Sequence, residues 1–182
     1  IVDVDHIYNE FGCGSKDPTA IRDFLRMLYL RNPQFRYVTL LGAASYDFRY
    51  LNTKVKDQNL VSTYETSESL DPINSFPTDD YFGLLDENEG ENLAGLLDLS
   101  IGRILARTQE EARDFVDKII RYDTDPNTYA DWRLNLIFSG DDEDGNIHMS
   151  DMDRIAQSVK SQNPLFNQQK IYLDAYEQIT TP

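Results

Sequence analysis

Cysteine, histidine and long apolar runs are all scarce in this chain. Of its 182 residues one is a cysteine, Cys13, and two are histidines, His6 and His148. A single cysteine excludes an internal disulfide. No apolar run approaches the roughly 20 residues needed to cross a bilayer, so we expect no transmembrane segment in this piece.

Positive charge is also scarce. Against 32 acidic residues the chain has 17 lysines and arginines, which gives a net charge of −15. From Asp57 to Gly102 there are 11 acidic residues and no lysine or arginine. Such a surface repels phosphate backbones, so we expect no nucleic acid partner. Basic peptides, divalent cations or plain solvation of an acidic face all stay open.

Three stretches have the pattern of an amphipathic helix. Asp17 is a typical N-cap for a helix over 18–30, with proline at its first position. Thr108 and Glu111 form a capping box before an apolar stripe at helical spacing, made of Ala112, Phe115, Val116, Ile119 and Ile120. A third helix is predicted to begin near Ser150.

Predicted strands alternate with these helices. They lie at 1–4, 35–41, 60–64, 97–104, 133–140 and 170–174. The apolar run after Asp79 and Asp80 predicts a loop that enters a further strand. The alternation predicts an α/β fold with mostly parallel strands flanked by helices. A polar, proline-containing segment after the second helix predicts a boundary, and we place two subdomains at 1–125 and 131–182.

Two motifs resemble a known family. Residues 77–83 are Pro-Thr-Asp-Asp-Tyr-Phe-Gly and residues 101–103 are Ile-Gly-Arg, with the capped helix following. In this order they resemble the gingipain-like cysteine peptidases, and within that family the PorU-type members, the signal-removing peptidases of type IX secretion. Shorter matches lie at 7–11, 17–22, 131–133 and 170–176.

The resemblance implies an architecture and a setting. It implies two α/β subdomains side by side, caspase-like, each with Rossmann-like layers. Residues 1–125 would be the first subdomain without its first strand and helix, and 131–182 the start of the second, catalytic one, so the piece would be truncated at both ends. The parent would be secreted or associated with the cell surface or outer membrane, and polypeptide substrate would bind through the missing catalytic half.

We do not find the catalytic cysteine and histidine of a cysteine peptidase in this sequence. The reaction needs a thiolate beside an imidazole. In the family the histidine lies in a Gly-His-Gly motif and the cysteine ends a later strand, and this chain has no Gly-His-Gly. Cys13 lies in a glycine-rich loop seven residues after His6 and does not match that context. We interpret it as an incidental loop cysteine, against the alternative of a Cys13–His6 pair, and expect no catalytic residue here.

The most acidic loop of the chain has two candidate uses. Carboxylates around a glycine turn suit Ca²⁺, and Asp141 and Glu143 are candidate ligands, although the spacing is not that of an EF-hand. The resemblance implies a second use, because in arginine-specific gingipains an acid in this loop lines the pocket for the basic substrate side chain. It makes Asp142, Asp144 and His148 candidate substrate-binding residues. A histidine near that position argues against strict arginine specificity.

Two other interpretations compete with the peptidase fragment. Asp79 and Asp80 are adjacent, as in a paired-carboxylate acid/base site, but neighbouring residues of a strand point to opposite faces. The acidic composition also fits a non-enzymatic domain that binds calcium or another protein.

Overall fold

The computed structural model of the chain describes residues 1–48, 50–51, 59–66, 74–90, 93–141 and 143–177. These residues form two compact units, 1–119 and 120–182. Helices and short parallel sheets build both, as the α/β prediction requires. None of the described helices is long and apolar enough to cross a membrane.

Unit 1 begins with two helices, α1 (Val4–Phe11) and α2 (Pro18–Arg31). Its strands are β1 (Tyr37–Leu41), β2 (Tyr64–Glu65), β3 (Pro77–Thr78) and β4 (Ser100–Ile104). Strands β1 and β4 pair in parallel, from Tyr37 opposite Ser100 to Leu41 opposite Ile104. The two-residue strands β2 and β3 pair antiparallel. Helix α3 (Gln109–Thr124) crosses from unit 1 into unit 2.

Unit 2 repeats the parallel arrangement. Strand β5 (Asn135–Gly140) is followed by helix α4 (Ile147–Gln162) and strand β6 (Asn167–Tyr172), and the two strands pair in parallel along their whole length. A strand, a helix and a parallel strand make one βαβ unit. Phe138 of β5 and Met149 and Ala156 of α4 are the buried apolar residues between them.

The core of unit 1 joins residues far apart in the chain. Tyr8 is almost wholly buried, and its hydroxyl donates to Ser62 Oγ over 3.0 Å. Phe82 is fully buried. The rest of this core consists of Ile7, Ala20, Ile21, Leu25, Leu40, Val61, Tyr81, Leu85 and Leu99. Burying so many large apolar side chains favours folding by roughly 1.5–3 kcal/mol for each one, before the entropy cost is subtracted.

The strand predicted at 1–4 is wrong, because helix α1 begins at Val4. The Asp3 carboxylate accepts the backbone N–H of Asp5 over 3.0 Å, as an N-cap does. Val4, Ile7, Tyr8 and Phe11 then lie on one helical face that packs on the core. The alternation of the first four residues is too short to decide between strand and helix.

The strand predicted after Asp79 and Asp80 is also wrong. Residues Asp80–Gly83 form a 3₁₀ helix. Residues 81–85 are buried without a break, which a strand with one solvent face does not allow. The 3₁₀ helix buries Tyr81, Phe82 and Gly83 in the core of unit 1.

The other elements agree with the predictions apart from their bounds. Helix α2 begins at its predicted proline, and Asp17 Oδ1 accepts the N–H of Thr19 over 2.8 Å. The strand predicted at 60–64 is reduced to β2, and those predicted at 97–104 and 133–140 begin later, at Ser100 and Asn135. Strand β6 begins three residues before the predicted 170, and α4 begins at Ile147.

Candidate functional site

The two sequence motifs of unit 1 bind each other through Arg103 and Asp79. The guanidinium of Arg103, on β4, is only 7% exposed. Its Nε donates to Asp79 Oδ2 and its Nη2 to Asp79 Oδ1, each over 2.7 Å. This is a bidentate charge-assisted contact, the strongest common form of a side-chain hydrogen bond.

The remaining donors of Arg103 reach the backbone beyond the end of β1. Nη1 donates to the carbonyls of Gly42 and Val61 over 2.9 and 2.8 Å, and Nη2 to that of Ser62 over 3.1 Å. All five N–H groups of the guanidinium are therefore used. We call this arrangement, Arg103 with Asp79 and the carbonyls of Gly42, Val61 and Ser62, the arginine clamp.

The clamp fixes the carboxyl edge of the β1–β4 sheet, where open α/β folds place ligands. Gly42 has φ of 143°, and a Cβ there would lie 3.0 Å from a methyl group of Val61. Asp79 also accepts the hydroxyl of Thr63 over 3.1 Å. Because Asp79 is committed to these partners, it does not share a proton with exposed Asp80 as a paired-carboxylate site requires.

In unit 2 the acidic loop lies at the matching edge, after β5. Asp144 and His148 come together, with 3.4 Å between Oδ2 and Nε2, and both side chains are exposed. Asp144, Gly145 and Asn146 have φ of 53°, 68° and 65°. For aspartate and asparagine this left-handed conformation costs roughly 1 kcal/mol each, so the turn stores backbone strain.

A glycine seats the helix that carries His148. A Cβ on Gly140, the last residue of β5, would lie 3.0 Å from Met149 Cα and 3.2 Å from the backbone carbon of His148. The first turn of α4 therefore rests directly on the end of the strand. Any larger residue at 140 would displace the turn and the imidazole with it.

The candidate calcium ligands are not gathered into a site by the described residues. Asp141 and Glu143 are exposed, and Asp142 lies outside the described residues. Within the described part of the chain, the three acids whose oxygens come within 4.8 Å of one another are Asp86, Glu89 and Asp98. The calcium assignment to Asp141 and Glu143 stays a prediction.

Two of these three carboxylates, those of Glu89 and Asp98, have structural partners. Asp98 accepts the N–H of Leu85 over 2.9 Å and the hydroxyl of Tyr29 over 3.0 Å. That hydrogen bond to Asp98 raises the pKa of Tyr29. Glu89 accepts the backbone N–H of Asp86 over 3.1 Å. These bonds give the carboxylates of Glu89 and Asp98 a structural role that needs no ion.

A shallow cavity of about 420 Å³ runs along α4 beside the end of β6. Its lining includes Asp153, Arg154, Gln157, Tyr172 and Asp174. Asp153 pairs with Lys170, and this hydrogen bond lowers the pKa of Asp153 and raises that of Lys170. The lining is thus polar, and two of its charged residues, Asp153 and Arg154, are in ion pairs.

Cys13 is an exposed free cysteine in the turn after α1, with φ of 51°. Among the described residues it forms no hydrogen bond with His6, which is exposed on α1. A nucleophilic cysteine needs a base within hydrogen-bond reach. The structure of unit 1 therefore brings no Cys–His pair together at Cys13 and His6.

Arg103 is the functional residue that sequence reasoning missed. It was part of a motif but had no assigned partner. A cue was present, because Arg103 is the first base after the acidic stretch 57–102, and that stretch contains Asp79. A buried arginine needs an acidic partner, but the sequence contains many acidic residues and does not show which of them pairs with Arg103.

The fold is similar to one solved structure in particular. The complex of Porphyromonas gingivalis RgpB pro- and mature domains superposes with a TM-score of 0.59 at 16% sequence identity. The match covers 86% of this chain and 32% of the RgpB chain, so this chain spans about a third of that protein's length. A comparison with curated proteins found no match.

Fold and motifs together define a gingipain-like, caspase-like α/β protein. A model of peptidase family C25 matches residues 1–182. The chain belongs to peptidase family C25, the gingipain family. The family prediction made from residues 77–83 and 101–103 is confirmed.

Proposed function

We propose that this chain is the scaffold and one wall of the substrate cleft in a PorU-type cysteine endopeptidase that processes proteins secreted by the type IX system. Its substrate is polypeptide, and its setting is the cell surface, the outer membrane or the secreted fraction. In this proposal 1–125 belong to the first subdomain and 131–182 open the catalytic one. The reactive thiol and imidazole come from other residues of the parent.

The observation that carries the proposal is the arginine clamp. The motif around Asp79 and the motif around Arg103 are the residues on which the family resemblance depends, and they bind each other at the carboxyl edge of the sheet. A bidentate, buried contact there serves to hold loops in place rather than to react. The contact therefore favours a structural role for Asp79 and Arg103 over a catalytic one.

Asp144 and His148 are our candidates for substrate contact. Both side chains are exposed; Asp144 lies in the strained turn after β5 and His148 in the first turn of α4. A histidine pairs with a guanidinium less well than a permanent carboxylate does, so we propose that the parent does not require arginine. Asp142 is the third candidate and lies outside the described residues.

The test is made on the full-length protein in its host. Deleting the encoding gene should leave secreted proteins with their uncleaved signals, read as a mass increase in the medium. Arg103→Lys should lower processing, whereas the exposed arginine substitution Arg154→Lys should leave it unchanged. Normal processing in the deletion strain would refute the assignment to signal removal.

The calcium hypothesis has its own test. Millimolar Ca²⁺ should raise the melting temperature of the wild-type chain and not that of a variant carrying Asp141→Asn and Glu143→Gln, because a ligand bound to the native state alone stabilises it. An unchanged melting temperature in the wild type would refute the site.

A further inference from the structure

Residues 7–11, one of the shorter family matches, lie on helix α1 and are distant in sequence from the arginine clamp. Tyr8 is the most buried residue of this stretch, with 2% of its surface exposed. A hydroxyl in a core needs a polar partner, because an unpaired one is costly. The partner of Tyr8 is Ser62, 54 positions further along the chain. Ser62 also belongs to the clamp, since its carbonyl accepts Arg103 Nη2.

The Tyr8 hydroxyl makes two hydrogen bonds to Ser62. It donates to Ser62 Oγ and accepts the backbone N–H of Ser62, each over 3.0 Å. Ser62 is itself 2% exposed, so both bonds are shielded from water. Because one hydroxyl takes part in both bonds, it fixes the position of Ser62 and the direction of its N–H.

Arg103 bonds to the other end of the same peptide group. The N–H of Ser62 and the C=O of Val61 belong to one peptide unit, which is planar. Arg103 Nη1 donates to that carbonyl over 2.8 Å, while the Tyr8 hydroxyl accepts the N–H. A rotation of the plane therefore changes both bonds together. Hydrogen bonds linked in a row in this way also polarise and strengthen one another.

The neighbouring residues extend the contact between this segment and the clamp. The carbonyl of Ser62 accepts Arg103 Nη2 over 3.1 Å, and Thr63 Oγ1 donates to Asp79 Oδ1 over 3.1 Å. Three consecutive residues, 61–63, thus bond either to Arg103 or to its carboxylate partner. The segment is held by the clamp on one side and by helix α1 on the other.

We propose that Tyr8 is a positioning residue for the arginine clamp, which acts through the Val61–Ser62 peptide group and holds Arg103 in the orientation that supports the cleft wall. The inference rests on the proposed function for its reference to the cleft, and it adds helix α1 to the elements on which that wall depends. The alternative is that the Tyr8 hydroxyl only stabilises the core of unit 1. Its loss would then affect the clamp no more than the loss of another hydroxyl from the same unit.

The test follows the Nε–H of Arg103 by NMR in the 182-residue chain, because that group donates to Asp79 and not to the segment that Tyr8 contacts. Tyr8→Phe removes the hydroxyl and keeps the ring. It should speed hydrogen exchange at Arg103 Nε about tenfold, as expected for the loss of one hydrogen bond, and shift the Nε resonance. Tyr29→Phe is the matched control, since its hydroxyl donates to Asp98, outside the clamp, and it should change neither.

The reverse experiment covers the case in which Tyr8→Phe does not fold. Arg103→Lys should speed exchange of the Ser62 N–H, whose acceptor is Tyr8, more than it speeds exchange at the amides of α2, because a coupling between two groups acts in both directions. Equal effects of Tyr8→Phe and Tyr29→Phe on Arg103 would overturn the proposal. So would an Arg103→Lys variant in which Ser62 responds no more than α2.

Processing by the full-length protein in its host separates this inference from the proposed function. Tyr8→Phe should lower signal removal as Arg103→Lys does, whereas Tyr29→Phe should leave it unchanged. A changed Arg103 resonance with normal processing in Tyr8→Phe would refute the role of the clamp in the cleft and leave its dependence on Tyr8 standing. Reduced processing with an unchanged Arg103 resonance would overturn the positioning role of Tyr8.

Discussion

Arg103 shows how one residue joins several segments of unit 1. Its five donors reach a carboxylate and three carbonyls that lie 24 to 61 positions away in sequence. Arg103 stabilises the fold because it gives each of these acceptors a hydrogen bond, and a buried carbonyl or carboxylate left without a donor costs about 1–3 kcal/mol. A residue that keeps the charge but loses the planar fork should not replace it.

Arg103→Lys should lower the free energy of unfolding by about 3 kcal/mol, because an ammonium has three donors for five buried acceptors. Urea denaturation followed by circular dichroism measures it. Arg154→Lys, at a 79% exposed arginine paired with Asp151, should change stability by less than about 0.5 kcal/mol. Equal losses in the two variants would show that the fork geometry at 103 does not matter.

Glu65 predicts a pH dependence. Burial raises its folded-state pKa above the usual unfolded value of about 4.3, so its contribution to stability is complete below that value and is lost as pH rises through the folded pKa. Glu65→Gln removes this loss. The melting temperature of the variant relative to wild type should therefore increase between about pH 4 and pH 7, and a difference that shrinks over this range would contradict the assignment.

At the scale of elements, the sequence pattern predicted where the helices lie better than it predicted what packs against them. Helix α2 and its cap follow from Asp17 and the proline after it. Half of the predicted capping box of α3 forms, because the N–H of Glu111 donates to Thr108 Oγ1 over 3.1 Å. The Glu111 carboxylate accepts the N–H of Arg107 rather than that of Thr108. Short-range pattern contains this information because caps and stripes are local.

The same pattern does not determine what covers an element. The predicted stripe of α3 exists, yet none of its residues is buried in the described structure, and Ile119 and Ile120 are about half exposed. Pairing of β1 with β4 joins Tyr37 to Ser100, a choice that no local period encodes. The clamp is unpredictable for the same reason, since Asp79 is one of 32 acidic residues in the chain.

Thr108→Ala should destabilise α3 by about 1 kcal/mol, because the cap satisfies an N–H that the helix leaves unpaired. Asp114→Ala, at an exposed position of the same helix away from the cap, should cost less than 0.5 kcal/mol. Thermal melts of both variants give the comparison. Identical melts would mean that the capping box contributes nothing to this helix.

At the scale of the whole molecule, membership of a peptidase family does not bring Cys13 and His6 together as a catalytic pair. All 182 residues match peptidase family C25, and the fold matches a gingipain structure. Within unit 1, the cysteine at 13 is exposed on a strained turn and His6 does not reach it. The charged side-chain contacts singled out here are those of the clamp, which positions loops, and the exposed contact between Asp144 and His148.

Peptide hydrolysis by the purified 182-residue chain is the most direct measurement. Fluorogenic peptides with lysine, arginine and neutral residues before the cleavage site are incubated with the chain and a reducing thiol. We expect no turnover above buffer, and the same result for Cys13→Ala. Thiol-dependent cleavage that Cys13→Ala abolishes would contradict the claim that this chain supports a peptidase site without containing its reactive residues.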